Sequence, residues 1–188
     1  FIGDFNEKQL IENCCYYLGN LPTTNKKEET KYVYFPFPEG KPSATVQKGQ
    51  DNQGAVFMCF GGELEPAKDI ESGYKESTLF SQMVNILDIK LRENIREDKS
   101  GTYGVYVSPV FDGYPERFYK INISFDCDPS REDELKQAVI DTVNDLKNNL
   151  ISDDEVTKLK EAYVRNKETN LFENSWWMSR LNAALVFT

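Results

Sequence analysis

The chain has 188 residues, with 22 Lys and Arg against 31 Asp and Glu, so its formal charge is −9. This length predicts one domain, and the acidic balance argues against nucleic-acid binding, which depends on basic side chains that displace phosphate counterions. The sequence contains no histidine, which excludes from it a Ser-His-Asp triad, a Cys-His pair and a zinc site that uses histidine. No apolar run is long enough for a membrane span. Hydrolytic chemistry would therefore have to use carboxylates or residues of another polypeptide segment.

The beginning of the chain is expected to contribute a strand remnant, a helix and a connection. Residues 1–22 open on Phe1 and Ile2, typical of the end of a strand, so we expect a fragment of a longer protein. Asn6 and Gln9 have the spacing of a capping box and predict a helix start. Residues 23–42, rich in Thr, Lys, Glu and Pro, are expected to form a surface connection.

The main sheet and the remaining helices are expected within residues 43–188. Residues 44–49 could form one strand, and the continuous apolar run 55–60 is typical of a buried central strand. Over residues 71–95, apolar side chains recur at steps of three and four, which indicates a long amphipathic helix.

Two more strands and three helices follow. Residues 103–109 alternate between apolar and polar, and residues 118–127 do so most clearly, which predicts strands with one apolar face. Asp128-Pro129 predicts a helix start, because proline is favoured in a first turn. Ser152 and Glu155 form a second capping box.

The order of elements predicts the fold class. Hairpins separated by helices indicate an α+β, two-layer fold with a mixed or antiparallel sheet and helices packed on one face. The aromatic pair Trp176-Trp177 is expected to anchor the last helices in a core. No cysteine lies in a C-x-x-C motif, so these residues are expected to be buried small hydrophobes: Cys14, Cys15, Cys59 and Cys127.

One candidate site emerges between the long helix and the next strand. Arg96 is expected at the helix end, and Tyr103 follows it by 103 − 96 = 7 positions at the start of a strand. Such a junction can bring a guanidinium and a phenol to one rim of a sheet, where both act as long hydrogen-bond donors. They would suit peptide carbonyl oxygens or an oxyanion. On spacing alone another interpretation stays open, in which Arg96 offsets the helix dipole and Tyr103 only packs.

The segment that begins at Leu91 reads Leu-Arg-Glu-x-Ile-Arg-Glu-x-x-Ser-Gly-x-Tyr-Gly-Val. It resembles the C-terminal-half domains of the insulinase/pitrilysin family of zinc metallopeptidases (inverzincins), in which an Arg at a helix end and a Tyr seven residues later form a recurring pair. Arg96 and Tyr103 match that pair in type and spacing. The Leu21-Pro22 exit of the first helix, the alternating strand that runs into Asp128-Pro129, and the late Glu-Asn-x-Trp-Trp stretch also agree, in the same order.

The resemblance implies a clamshell of two similar α+β halves, or four domains built from such halves. Zinc would lie in the N-terminal half, in a His-x-x-Glu-His motif with a further Glu ligand. Because this chain has no histidine, the resemblance implies that it is the non-zinc, substrate-side half, with no metal or cofactor of its own. The expected catalytic and substrate-binding residues are Arg96 and Tyr103, as donors to the substrate backbone.

The expected partners are a peptide or unfolded polypeptide substrate and an N-terminal zinc-binding half, in the same chain or in a partner chain. The parent protein would be a zinc endopeptidase, and this fragment alone would be inactive. Bacterial relatives are often exported, which favours a periplasmic or otherwise exported location over the cytoplasm.

Two alternatives remain. The chain could be a non-catalytic, polypeptide-binding partner subunit of such a protease, or an unrelated ferredoxin-like α+β interaction domain. The position of a His-x-x-Glu-His motif, upstream in the same chain, in a neighbouring chain or in neither, separates the three readings.

Overall fold

A computed structural model describes most of the chain, without the side chains of residues 96–97 and 183–186; the described residues are 1–27, 29, 31, 33, 36–49, 52–97, 104–112 and 116–186. The chain divides into two compact units. The smaller comprises Phe1–Phe35 and Ala162–Thr188, and the larger comprises Pro36–Glu161.

Five α-helices and three strands make up the regular structure of the described residues, together with a π-helical segment, Arg92–Glu97, and a 3₁₀ turn, Pro129–Arg131. In chain order the helices and strands are α1 Glu7–Tyr17, β1 Gly54–Glu63, α2 Ile70–Leu91, β2 Val105–Asp112, β3 Phe118–Cys127, α3 Glu132–Asn148, α4 Asp153–Asn170 and α5 Asn174–Val186.

The larger unit is organised around its central strand, β3. The strand order is β1-β3-β2, and both pairings are antiparallel. Strands β1 and β2 therefore run parallel to each other, with β3 between them and α2 in the connection, which is a split β-α-β arrangement. The bounds predicted for this strand, residues 118–127, are confirmed, because its alternating pattern is unambiguous.

One face of the sheet is buried by helices. Phe125 of β3 is 2% exposed, and it pairs with Val56 on one side and Val105 on the other, both buried. Helix α2 turns Val84, Leu87 and Leu91 into the same core. Helix α3 buries four residues at helical spacing: Leu135, Ala138, Val139 and Thr142. The predicted α+β fold with an antiparallel sheet is confirmed.

Residues 55–60 form a strand as predicted, but the prediction that this strand is central and buried is wrong. They lie in β1, which is an edge strand of the described sheet. Its side chains alternate in burial, so that Val56 is buried while Phe57 is 69% exposed and Cys59 is also exposed. The apolar side chains on the exposed face concealed this two-residue period in the sequence.

Other strand boundaries also differ from the predictions. Residues 44–49 form no strand, and Phe1 and Ile2 lie outside the strands of the described residues. Strand β2 continues past Pro109 to Asp112. An edge strand tolerates proline, since only one side of it pairs within the sheet.

The predicted helix starts are confirmed by their caps. The Asn6 side chain accepts a hydrogen bond from the Gln9 backbone N–H at 3.0 Å. At the start of α4, Glu155 accepts from the Ser152 backbone N–H at 2.9 Å, and the Glu155 N–H donates to Ser152 Oγ at 3.3 Å. All three bonds satisfy backbone donors that a helix end would otherwise leave unpaired.

The smaller unit has no buried residue among those described. Trp177, which was expected in a core, is 42% exposed, although its Nε1 donates to the Leu171 carbonyl at 3.0 Å. Cys15 is exposed and Cys14 is half-buried. The expectation of buried cysteines is therefore correct only for Cys127 of the larger unit.

Gly61 on β1 allows an aromatic ring to approach the strand closely. A Cβ at this position would lie 2.6 Å from Cε1 of Phe37 and 2.8 Å from the Tyr119 carbonyl oxygen. The Phe37 ring packs edge-on to Phe118 at 6.0 Å, and the Lys120 ammonium lies 5.4 Å from its centroid. A glycine is thus needed for Phe37 to cover this part of the sheet.

The central strand supplies a test of this core. We expect Ile123→Ala to lower the free energy of unfolding of the 188-residue chain by about 2–5 kcal/mol, because a fully buried side chain leaves a cavity. Urea denaturation measures it. The matched control Leu79→Ala, at a position that is 69% exposed on α2, should change stability by no more than about 0.5 kcal/mol. Equal losses in the two variants would contradict this assignment of the core.

Candidate functional site

The predicted site lies in the connection between α2 and β2. Arg96 belongs to the π-helical segment Arg92–Glu97. Its side chain and the whole of Tyr103 lie outside the described residues. The closeness of the guanidinium and the phenol therefore stays a prediction, and the described structure defines the anchors on either side of them.

The helix side of the site is anchored by apolar side chains. The Arg92 N–H donates to both the Asp88 and the Ile89 carbonyls, where the helix changes from α to π geometry. Leu91 and Ile95 are each 0% exposed, one on either side of this change. The π geometry is uncommon and occurs frequently at functional sites.

A partly buried hydrogen bond holds the same segment against α3. Asn94 Nδ2 donates to Thr142 Oγ1 at 2.9 Å, and Thr142 Oγ1 donates in turn to the Ala138 carbonyl at 2.8 Å. Thr142 is 4% exposed. The bond joins residues 48 positions apart and ties the π-helical segment to α3.

Charged side chains link the end of α2 to the start of α4. Lys90 Nζ lies 2.8 Å from a carboxylate oxygen of Glu155 and 3.3 Å from one of Glu93. The Lys90 hydrogen bond, with those from Ser152, lowers the pKa of Glu155 from 4.5 to about 2. Mainly through its bond to Glu155, the pKa of Lys90 is raised. This network adds a third attachment near the predicted site.

The strand side of the site is anchored in the same core. Val105, the first residue of β2, is 3% exposed and pairs with Phe125. Both described ends of the connection that contains Tyr103 therefore enter one apolar cluster, through Ile95 before it and Val105 after it.

The face of the sheet opposite the helices carries two exposed aromatic side chains that the sequence pattern did not single out. Phe57 and Tyr106 both pair with Ser124 across β3, and they are 69% and 72% exposed. The alternation along β2 and β3 was the signal that could have identified Tyr106, since it is the polar-face neighbour of buried Val105.

The described residues contain no group of three or more Cys, Asp or Glu side chains suited to holding a metal ion. None of the helices in that part of the chain is both long and apolar enough to cross a membrane.

Comparison with known proteins identifies the family. The sequence pattern described as "Peptidase M16 inactive domain" matches residues 1–163. The chain therefore belongs to the inactive-domain family of M16 peptidases. The predicted resemblance to the insulinase-like proteases is confirmed, and the alternative of an unrelated interaction domain is wrong.

A curated relative and three solved structures agree with this assignment. The chain is 23% identical over 192 residues to a zinc protease PQQL-like protein of Arabidopsis thaliana, covering 96% of this chain and 20% of the relative. It thus spans about one fifth of that relative's length.

The structural relatives share the fold. The periplasmic protease PqqL of Escherichia coli matches with a TM-score of 0.66 and 21% identity, over 98% of this chain and 20% of its own. The ferredoxin protease FusC, in complex with Arabidopsis ferredoxin, matches with a TM-score of 0.69 and 18% identity, over 92% of this chain and 18% of its own. A predicted insulinase family protease from Yersinia pestis matches with a TM-score of 0.60 and 12% identity, over 95% of this chain and 39% of its own.

The charged network near the site predicts a dependence of stability on pH. The pKa of Glu155 in the folded chain, about 2, lies below its ordinary value of 4.5. Its contribution to stability is therefore present above pH 4.5 and is lost as the pH falls toward 2. We expect Glu155→Gln to lower the melting temperature near neutral pH, and the difference from the wild type to shrink as the solution is acidified below pH 4.5.

Thermal denaturation followed by circular dichroism across this pH range measures the effect. The control is Glu161→Gln, which removes one negative charge from the same helix outside this network. A melting difference for Glu155→Gln that stays constant with pH would show that the ion pair does not act as described.

Proposed function

We propose that this chain is the substrate-side, non-zinc domain of a zinc-dependent endopeptidase. The observation that carries the proposal is the match to the M16 inactive domain over residues 1–163, in a sequence without histidine. A chain with that composition cannot form a His-x-x-Glu-His site. Its contribution to peptide hydrolysis would be to bind and orient the substrate.

Arg96 and Tyr103 are the residues proposed to do this, as donors to carbonyl oxygens of the substrate backbone near the scissile bond. The anchoring supports the proposal, because Ile95 before the connection and Val105 after it both belong to the apolar core. A site whose supports are fixed loses little entropy when substrate binds. A guanidinium and a phenol also keep their protons at neutral pH, so both remain donors.

Zinc belongs to the proposed N-terminal half, in the same chain or in a partner chain, where it would lower the pKa of a bound water. The residues of this chain would act on the substrate alone, holding its main chain and donating to the oxygen on which negative charge develops. We also propose that residues 1–188 form a single C-terminal-half domain, built from residues 1–22, the connection 23–42 and the body 43–188.

The proposed substrate is a peptide or an unfolded polypeptide. The complex of one structural relative with ferredoxin supports a polypeptide substrate. The description of another relative as periplasmic supports an exported location.

Substitution of the two donors tests their role. In the full-length protease, Arg96→Ala and Tyr103→Phe should each lower kcat by roughly 10²–10³-fold, because each removes a donor to the developing oxyanion. Cleavage of a quenched-fluorescence peptide library measures the loss. Arg92→Ala is the matched control, since Arg92 lies in the same π-helical segment and pairs with Asp88 at an exposed position. Wild-type kcat/KM in both site variants would refute the proposed site.

The isolated chain gives a second test. Purified residues 1–188 should neither retain stoichiometric zinc nor cleave the peptide library, because the chain has no histidine ligands. Elemental analysis after dialysis and the same peptide assay measure both properties. One zinc per chain, or steady peptide cleavage, would show that the chain is more than a substrate-side domain.

A further inference from the structure

We propose that the hydrogen bond between Asn94 and Thr142 is a positioning contact, which sets the backbone of the segment that carries Arg96. The inference rests on the proposed function of Arg96, and it adds two residues that act through that arginine. Neither Asn94 nor Thr142 is proposed to touch the substrate.

The bond has a defined direction. Thr142 Oγ1 donates its only proton to the Ala138 carbonyl at 2.8 Å, so it can serve Asn94 only as an acceptor. Asn94 Nδ2 supplies the donor at 2.9 Å. Because Thr142 is 4% exposed, little water competes for its oxygen, and a buried polar group without its partner would be costly. The contact therefore favours one placement of Asn94 against α3.

Apolar packing alone does not give this direction. Leu91 and Ile95 are fully buried, but contacts between apolar side chains are non-directional. The segment is also π-helical, so the regular hydrogen bonds of an α-helix do not fix its backbone. A directional bond to a neighbouring helix supplies the missing constraint.

The constraint reaches Arg96 through a short length of backbone. Arg96 follows Asn94 by two residues in the same segment. A displacement of about 1 Å in a group that orients substrate can cost up to roughly 100-fold in rate. Loss of the bond should therefore lower activity more than it disturbs the fold.

The first experiment measures kinetics in the full-length protease, with the fastest-cleaved member of the quenched-fluorescence library as the probe. Asn94→Ala and Thr142→Val should each lower kcat/KM about tenfold, mainly in kcat. Thr142→Ser, which keeps the hydroxyl, should stay within about twofold of the wild type. Gln137→Ala is the matched control, because it removes a bond of the same type from Gln137 to Asp141 on the exposed side of α3.

The second experiment separates positioning from general support of the fold. Asn94→Ala is repeated in an Arg96→Lys background, with binding of the uncleaved peptide as a second readout if turnover is slow. If Asn94 acts through Arg96, the substitution should cost no more than about twofold in that background. An equal loss in both backgrounds, or no loss in the wild-type background, would overturn the inference. If Arg96→Lys and Arg96→Ala both showed wild-type kinetics, the function proposed for Arg96 would itself be refuted.

Discussion

Burial of one face of β3 is the constraint on which the larger unit depends. The strand lies between two edge strands that are parallel to each other, so it supplies the hydrogen bonds for both. Its inward residues Ile123 and Phe125 are 0% and 2% exposed, and they face side chains from both neighbours and both covering helices. Removing that face from water stabilises strands and helices together. It also fixes where α2 ends and β2 begins.

The support of the candidate site combines two kinds of interaction. Burial of Ile95 and Val105 fixes the backbone on the two sides of the connection that carries Tyr103. Polar contacts then act in specific directions, through Asn94 to α3 and through Lys90 to Glu155 of α4. The apolar contacts give most of the stability, whereas the hydrogen bonds contribute less net energy but more geometric definition. Such a division suits a connection that must present side chains in a set orientation.

The sequence predicted the elements whose periodicity is strong, and it could not predict contacts between distant residues. The alternation over 118–127 and the helical spacing over 71–95 gave β3 and α2, because one face of each is buried. The sequence did not reveal that only alternate residues of the run 55–60 are buried, because Phe57 is apolar although it is exposed. The contact of Asn94 with Thr142 spans 48 positions and leaves no local pattern. The roles proposed for Arg96 and Tyr103 came from family resemblance, because spacing alone left two interpretations open.

The close approach at Gly61 has a consequence for how this family of sequences can diverge. A side chain at position 61 would collide with Phe37 and with the Tyr119 carbonyl. Mutation could remove the ring, but the carbonyl belongs to the backbone of the sheet and would still lie 2.8 Å from a Cβ at position 61. Homologues should therefore keep the glycine even where a small residue replaces Phe37. A glycine column that stays constant beside a variable aromatic column of an alignment would be the evolutionary record of that backbone constraint.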